Sequence, residues 1–353
     1  MSTSALSAVI PTSLTKVNSK SNLSVPTRSE YGFILNFIPL AMKLDGKNAS
    51  KSNSISNQLT RALAGRLPTG TNIFNAASDL QISDGLLPSD TQTNTDISLF
   101  KKWGHPSKHL PQFKDEELHR ILAFIPIARE LDGDKVYDVN SITNQIYRIL
   151  YPREKGINAY GGALKGDGAE EYLKQARQFS RELAEAGYYM VTGGGHSFME
   201  SIALGALDAN SHTMGSNLWR FNDSDPKVHH EITMFHGVPA RIGAEGGYEH
   251  RAAYTLVFPG GIGTNREVYS KLEDLLYSVT PYPSHPTIPI VDINPIFTQE
   301  IRGALEQMVK DGRVKPKVFD IVKFIKTPKE VLDLYSDPKY VMTPGRKLDK
   351  VKI

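Results

Sequence analysis

The stretch from residue 154 to 340 alternates short apolar runs with polar, helix-like segments, and this pattern constrains the fold more than any other feature of the chain. Strands that alternate with helices of this length form a parallel sheet covered on both faces. We therefore predict a doubly wound, Rossmann-like α/β domain over 154–340. The predicted strands are INAYGGA at 157–163, YYMVTGGG at 188–195, HTMGSNLW at 212–219, EITMF at 231–235, TLVFPGG at 255–261 and TIPIVDI at 287–293.

Three of these strands end in glycines, at 161–162, 193–195 and 260–263. In open parallel sheets, ligands bind beyond the carboxyl ends of the strands. Glycine lets the backbone approach an anion closely, and the helix that follows directs its first N–H groups at that anion. The three turns together predict a phosphate-bearing ligand. Neither G-x-G-x-x-G after the first strand nor G-K-[ST] is present, so NAD and ATP are not indicated and we predict no cofactor.

A second feature is an internal repeat in the first 150 residues. ILNFIPLAMKLDG at 34–46 matches ILAFIPIARELDG at 121–133, and NSISNQLTRAL at 53–63 matches NSITNQIYRIL at 140–150. Both pairs lie 87 residues apart, and 16 of the 30 positions in 34–63 are identical, which indicates a duplication. The apolar spacing within each copy predicts two helices broken at Asp-Gly. The α/β domain is thus preceded by a helical region that contains a duplicated unit.

These patterns divide the chain into six predicted segments. They are a disordered tail at 1–29, a first helical repeat unit at 30–75, a linker at 76–116, a second helical repeat unit at 117–153, the Rossmann-like α/β domain at 154–340 and a C-terminal tail at 341–353. The first segment has no acidic residue and many Ser and Thr residues, which is also compatible with an organellar transit peptide.

Composition excludes several classes of protein. The formal charge of +3 and the absence of a basic block interleaved with aromatics do not indicate nucleic-acid binding. No apolar run approaches the roughly 20 residues needed to cross a bilayer, so no membrane role is expected. The chain has no cysteine, which fits a reducing compartment, and we expect a cytoplasmic location. His229 and His230 are adjacent on a strand and point to opposite faces, so no metal site is predicted.

Two motifs, TGGGHSFMESIALGALDAN at 192–210 and PGGIGTNRE at 259–267, closely resemble the paired motifs of the LOG family of phosphoribohydrolases. Every fixed position of the family pattern P-G-G-x-G-T-x-x-E is matched. The resemblance covers about 155–335 and excludes the repeats. It implies hydrolysis of the N-glycosidic bond of a nucleoside 5′-monophosphate to free base and ribose 5-phosphate. It also implies a homodimer or higher homo-oligomer.

The resemblance assigns roles to individual residues. Glu267 is the predicted catalytic carboxylate, which stabilises an oxocarbenium-like ribose and orients water; the competing interpretation is a first-turn helix acid favoured by the dipole. Arg241 is the predicted catalytic arginine, but it lies farther from Pro259 than the family's arginine does, so Arg251 is a competitor as a phosphate ligand. The remaining predicted ligand-binding residues are Gly161, Gly194, Gly195, Ser197, Met199, Gly260, Gly261, Gly263 and Thr264.

A rival function is a non-catalytic nucleotide-binding sensor or carrier on the same fold, because fold does not determine function. The duplicated unit favours this reading, since regulatory attachments are common on sensors, whereas Glu267 favours the enzyme. A third possibility is that the N-terminal unit docks a protein partner and the α/β domain acts as its scaffold. The base that is recognised stays open at this point: purines, pyrimidines and N6-modified adenine are all compatible with the motifs.

Overall fold

A computed structural model describes residues 28–64, 113–163, 168–219, 224–236, 247–277 and 284–339. Residues 1–27, almost all of the linker at 76–116, the C-terminal tail at 341–353 and the catalytic candidate Arg241 lie outside the described residues, and the predictions made for them stay predictions. The last two residues of the predicted N-terminal tail, 28 and 29, belong to the first helix.

Each copy of the repeat forms a pair of helices joined at the Asp-Gly break. Helices α1 (Arg28–Asp45) and α2 (Ile55–Ala64) make the first copy, and α3 (Asp115–Asp132) and α4 (Ile142–Leu150) make the second. The glycines after the aspartates have φ values of 50° and 52°, a conformation that ends the first helix of each pair. The carboxylate of Asp132 then accepts hydrogen bonds from the N–H groups of Ile142 and Thr143 at 2.8 and 2.9 Å, and so caps α4.

The α/β domain contains a seven-stranded, all-parallel sheet with the order β4-β3-β2-β1-β5-β6-β7. Strands β2, β3 and β4 follow one another outward on one side of β1, and β5, β6 and β7 follow one another outward on its other side. The topological switch point therefore lies between β1 and β5. The strands are β1 (Gly156–Tyr160), β2 (Tyr189–Thr192), β3 (Thr213–Leu218), β4 (Glu231–Phe235), β5 (Tyr254–Val257), β6 (Ile288–Val291) and β7 (Val322–Ile325).

Helices cover both faces of the sheet, which confirms the doubly wound α/β prediction. They are α5 (Ala169–Glu185), α6 (Phe198–Asp208), α7 (Tyr248–Arg251), α8 (Ile262–Tyr277), α9 (Pro295–Lys310), α10 (Val318–Ile321) and α11 (Pro328–Ser336). One apolar core joins α5, α6 and α11 to the sheet. The other joins α8, α9 and the duplicated helices to the opposite face, so the N-terminal region shares a core with the α/β domain.

The six predicted strands are confirmed, with ends shifted by a few residues where a glycine turn had been included. The seventh strand, β7, was not predicted; it is four residues long and lies at one edge of the sheet.

At the opposite edge, the second copy covers β4. The N–H of Met234 donates to the carbonyl of Tyr137 at 3.0 Å, and Asn144 Nδ2 donates to the carbonyl of Ile232 at 3.2 Å. Arg129 donates to the carbonyl of His230. These bonds occupy an edge that would otherwise be open to pairing with another strand.

Candidate functional site

The glycine turns after β1 and β5 contact each other at the switch point. Gly162 N–H donates to the carbonyl of Pro259 at 3.1 Å, and a Cβ on Gly162 would lie 2.8 Å from Gly260 Cα. A Cβ on Gly161 would lie 2.9 Å from Phe198 Cβ, at the start of α6. There is no room for a side chain at Gly161 or Gly162, because the turn after β1 packs directly against α6 and the turn after β5. The sequence-predicted turns after β1, β2 and β5 are therefore brought together at one edge of the sheet, where doubly wound folds bind ligands.

The turn after β5 combines a tightly packed part with an open part. A Cβ on Gly260 would lie 2.7 Å from both Thr264 Cβ and the Gly162 nitrogen, and Thr264 is buried. At Gly261 and Gly263, by contrast, no atom lies within 4 Å of an added Cβ. Packing therefore holds the turn in place while its outer side leaves room for a ligand.

This open side is also the N-terminus of α8, a helix of 16 residues. The N–H of Asn265 donates to the carbonyl of Gly261 at 3.0 Å. The N–H groups that precede it in the first turn have no carbonyl of their own helix to bind, and they carry the positive end of the helix dipole. They form an anion-binding group of the kind predicted from the sequence.

Glu267 is the sixth residue of α8 and is only 9% exposed. The helix dipole favours acidic residues within the first turn, and Glu267 lies beyond it, so the dipole does not account for this carboxylate. It follows Gly263 by four residues and so lies on the same face of the helix, about 6 Å further along the axis. A buried carboxylate beside the open part of the turn is thus placed one helical turn from the anion-binding N–H groups.

The turn after β2 is held by polar groups that the sequence prediction did not include. Gly194 has φ 73°, and its N–H donates to Thr192 Oγ1 at 3.1 Å. Asn217 Nδ2 donates to Ser224 Oγ at 2.8 Å, and that serine packs against Gly194. His229 Nε2 lies 3.2 Å from Thr192 Oγ1. Asn217 lies near the carboxyl end of a predicted strand, but the return of 224–229 over the turn had no signal in the sequence.

The neighbouring α6 places the other predicted residues at the same edge. Ser197 precedes α6 with φ 66°, and Met199 is half-buried. His196 Nδ1 lies 3.3 Å from Glu200 Oε2, and both side chains are exposed. These residues surround the start of α6, which contacts the first glycine turn through Phe198.

Arg251 occupies a different place from the one predicted for a phosphate ligand. It ends α7, three residues before β5, and so lies at the amino edge of the sheet, opposite the glycine turns. Its side chain is 2% exposed, and its Nη2 donates to Glu231 Oε2 at 2.7 Å. It also donates to the carbonyl of Tyr151 at 3.3 Å. Arg251 is therefore part of a buried structural pair and is not brought together with the other predicted site residues.

Around this pair lies a buried polar cluster that includes histidines. His212 Nε2 lies 3.4 Å from Glu231 Oε2, and its ring stacks on Tyr151 with centroids 3.7 Å apart. Burial lowers the pKa of His212 to about 4, although Glu231 opposes the shift. Burial would raise the pKa of Glu231, but Arg251 and His212 outweigh it and the pKa is lowered. Glu231 is therefore ionised beside Arg251 at neutral pH.

Among the described residues, no group of three or more His, Asp or Glu side chains is arranged to hold a metal ion. Nor does the described part of the chain contain a helix that is both long and apolar enough to cross a membrane.

No family model and no curated protein matches the chain. Solved structures with similarity include the molybdenum cofactor binding protein from the phototrophic bacterium Rippkaea orientalis, at 19% identity over 52% of this chain and 95% of that one, with a TM-score of 0.37. The molybdenum cofactor carrier protein MCP from Chlamydomonas reinhardtii gives 19% identity, 52% and 98% coverage and a TM-score of 0.37. The structural genomics target TM1055 gives 16%, 51% and 97%, and 0.36. At these values the similarity assigns neither family nor function.

Proposed function

We propose that the protein is a phosphoribohydrolase of the LOG type, which cleaves the N-glycosidic bond of a nucleoside 5′-monophosphate. The observation that carries the proposal is the placement of a buried carboxylate, Glu267, one helical turn beyond an open, glycine-lined helix N-terminus. The two groups are separated along α8 by a distance comparable to that between the phosphate and the anomeric carbon of a ribose 5-phosphate.

In this proposal the 5′-phosphate binds at Gly261–Thr264. The N–H groups of the first turn of α8 donate to its oxygens, and the two glycines allow it to approach the backbone. The turns after β1 and β2 close the other sides of the phosphate and ribose. Packing of Thr264 against Gly260 keeps these donors in position before the substrate arrives, so little reorganisation accompanies binding.

The ribose then lies over Glu267. As the bond to the base lengthens, positive charge develops on the ring oxygen and anomeric carbon, and the carboxylate stabilises that charge. The same carboxylate accepts a hydrogen bond from water and directs it at the anomeric carbon. The C–N bond breaks, the water oxygen forms a new bond to the anomeric carbon, and the proton that this water loses ends on the departing nitrogen of the base. The products are free base and ribose 5-phosphate, which remains on the glycine turns until it dissociates.

Two exposed apolar side chains at this edge are candidates for contact with the base. Ile262 lies between the open glycines and is 90% exposed, and Trp219 follows β3 and is 37% exposed. The ring of Trp219 can stack on any base and the aliphatic side chain of Ile262 can pack against one, so neither contact gives much selectivity. The preferred base therefore has to be identified with the panel of nucleotides described below.

The test is to incubate the protein with AMP, GMP, CMP, UMP and isopentenyladenosine monophosphate and to measure free base by chromatography, with nucleotide binding measured in parallel by calorimetry. Release of base and ribose 5-phosphate in equal amounts supports the proposal. Binding of a nucleotide without any release would favour the rival function, a nucleotide-binding sensor or carrier. Absence of both would show that the glycine turns do not bind a nucleotide.

A further inference from the structure

The two copies of the repeat share their internal hydrogen bonds as well as their sequence. Asp45 caps α2 through the N–H groups of Ile55 and Ser56, as Asp132 caps α4 through the two equivalent residues. Further bonds recur at the same offset: Ser54 to Ala49 and Ser141 to Val136, Asn57 to Ala49 and Asn144 to Val136, Gln58 to Asn53 and Gln145 to Asn140, and Arg61 to Ser52 and Arg148 to Val139. The copies are therefore one unit folded twice.

These two units contact each other through equivalent residues. The rings of Phe37 and Phe124 stack with centroids 3.8 Å apart and an interplanar angle of 13°. Asn53 Nδ2 donates to Asn140 Oδ1 at 3.4 Å. In both contacts the residues are separated by the repeat offset of 87. Contact between equivalent positions is the signature of a two-fold axis, as in a symmetric homodimer interface where one patch binds its own copy.

Other surfaces of the unit have diverged. The second copy holds β4 through the side chains of Arg129 and Asn144 and the backbone carbonyl of Tyr137. Asn144 is retained in the first copy as Asn57, whereas Arg129 is replaced by Met42. Met42 is 50% exposed. The first copy has thus lost the arginine that binds a sheet edge, while it shares with the second copy Phe37 and Asn53, the residues of the contact between equivalent positions.

We propose that the first copy occupies the position that a second subunit would otherwise occupy. The surface of α3 and α4 around Phe124 and Asn140, here termed the axial face, is a self-association surface, and the chain covers it with a tethered copy of its own unit. The partner that fits the axial face is a second copy of this chain. The proposal concerns the helical region alone and is independent of the proposed enzyme activity.

One divergent position favours the tethered pair over a pair of chains. Lys43 Nζ lies 2.7 Å from Glu117 Oε1, across the two copies. The equivalent of Lys43 in the second copy is Glu130. Two axial faces that met would therefore oppose Glu130 to Glu117 twice, a like-charge contact that works against the wrong pairing. Both residues of the present pair are partly exposed, so each such contact changes association by about two- to fivefold only. The burial of the aromatic contact outweighs it.

The test uses full-length variants and sedimentation velocity. Phe37→Asp removes the first copy from Phe124 and leaves the axial face intact, so we expect a particle of twice the wild-type mass. The matched variant Phe124→Asp breaks the same contact but damages the axial face itself, and its mass should stay at the wild-type value. Adding Glu130→Lys to Phe37→Asp should tighten the association several-fold. Alanine at either position gives the same directions with a milder change if an aspartate variant fails to fold.

A second readout identifies the surface that associates. The chain has no cysteine, so Asn140→Cys introduces a single thiol on the two-fold axis. A short bis-maleimide should join two chains at this thiol in the Phe37→Asp background, and should not do so in the otherwise wild-type chain.

Three results would overturn the proposal. The first is that Phe37→Asp keeps the wild-type mass although protease now cuts α1. The first copy would then be released without any association of two chains. The second is a doubled mass without cross-linking at residue 140. The third concerns Phe33, whose ring also stacks with Phe124 at 6.2 Å. If α1 stays protected after both Phe33→Asp and Phe37→Asp, the aromatic contact does not hold the first copy, contrary to the proposal.

Discussion

Replacement of Arg251 by glutamine should destabilise the protein and leave its chemistry unchanged. The Glu231 side chain is 0% exposed and the Arg251 side chain 2%, with the charged atoms 2.7 Å apart. Removal of one partner from such a pair leaves an uncompensated buried charge, which typically costs about 3 to 5 kcal/mol. Because whole domains are stable by only about 5 to 15 kcal/mol, Arg251→Gln should lower the urea midpoint severely.

The double variant Arg251→Gln/Glu231→Gln is the matched control. It leaves no charge in the cluster, so its free energy of unfolding should lie well above the value expected from adding the two single effects. The activity of the folded fraction should match wild type, because Arg251 lies at the far edge of the sheet, about 13 Å of strand from the glycine turns. An Arg251→Gln protein with wild-type stability and a KM for AMP raised tenfold or more would refute this reasoning and restore Arg251 as a phosphate ligand.

Three further predictions concern the site and the buried histidines. Gly260→Ala should lower both stability and activity because its Cβ would collide with the Gly162 nitrogen, whereas Gly261→Ala, in open space, should keep the wild-type melting temperature and lose activity; equal melting temperatures for both would contradict the packing described. If the turns hold the 5′-phosphate, AMP should be hydrolysed at least a hundredfold faster than adenosine, and equal rates would show that no phosphate binds there. Burial lowers the pKa of His212 to about 4 and of His230 to about 3, below the ordinary value, so the unfolded chain binds more protons and stability falls as pH decreases from about 6.5 towards 4. Urea unfolding at pH 7 and 5 should differ by on the order of 2 kcal/mol for each histidine, and His212→Gln should show a smaller difference than wild type.

The fold could be predicted where the pattern is local. The six predicted strands are short apolar runs bounded by turn residues, and a buried run of this kind has few alternatives. Strand β7 was missed because Lys323 lies within its four residues at a sheet edge and interrupts the apolar run. The glycine turns were also predictable, since glycine at the end of a parallel strand has a physical consequence that does not depend on the rest of the chain.

Other features depend on contacts between distant segments. Arg251 resembled a ligand in the sequence, and only the return of β4 beside it shows that Glu231 binds its guanidinium. Ser224 contacts Gly194 because the chain after β3 folds back over the turn. The duplication was visible as an offset of 87 residues, but the stacking of Phe37 on Phe124 required the tertiary structure. The repeat in the sequence shows which residues of the two copies are equivalent, but it does not show which equivalent residues are in contact.

The most direct test of the proposed function is a comparison of wild type with Glu267→Gln on the nucleotide that the panel selects. Glutamine keeps the size of the side chain and removes the negative charge that the oxocarbenium-like ribose requires. The dissociation constant of the nucleotide should stay within a few-fold of wild type, while the release of free base should fall at least about a hundredfold, the loss expected when one electrostatic partner of the transition state is removed. Release of base by Glu267→Gln at close to the wild-type rate would contradict the assignment of Glu267 as the catalytic carboxylate.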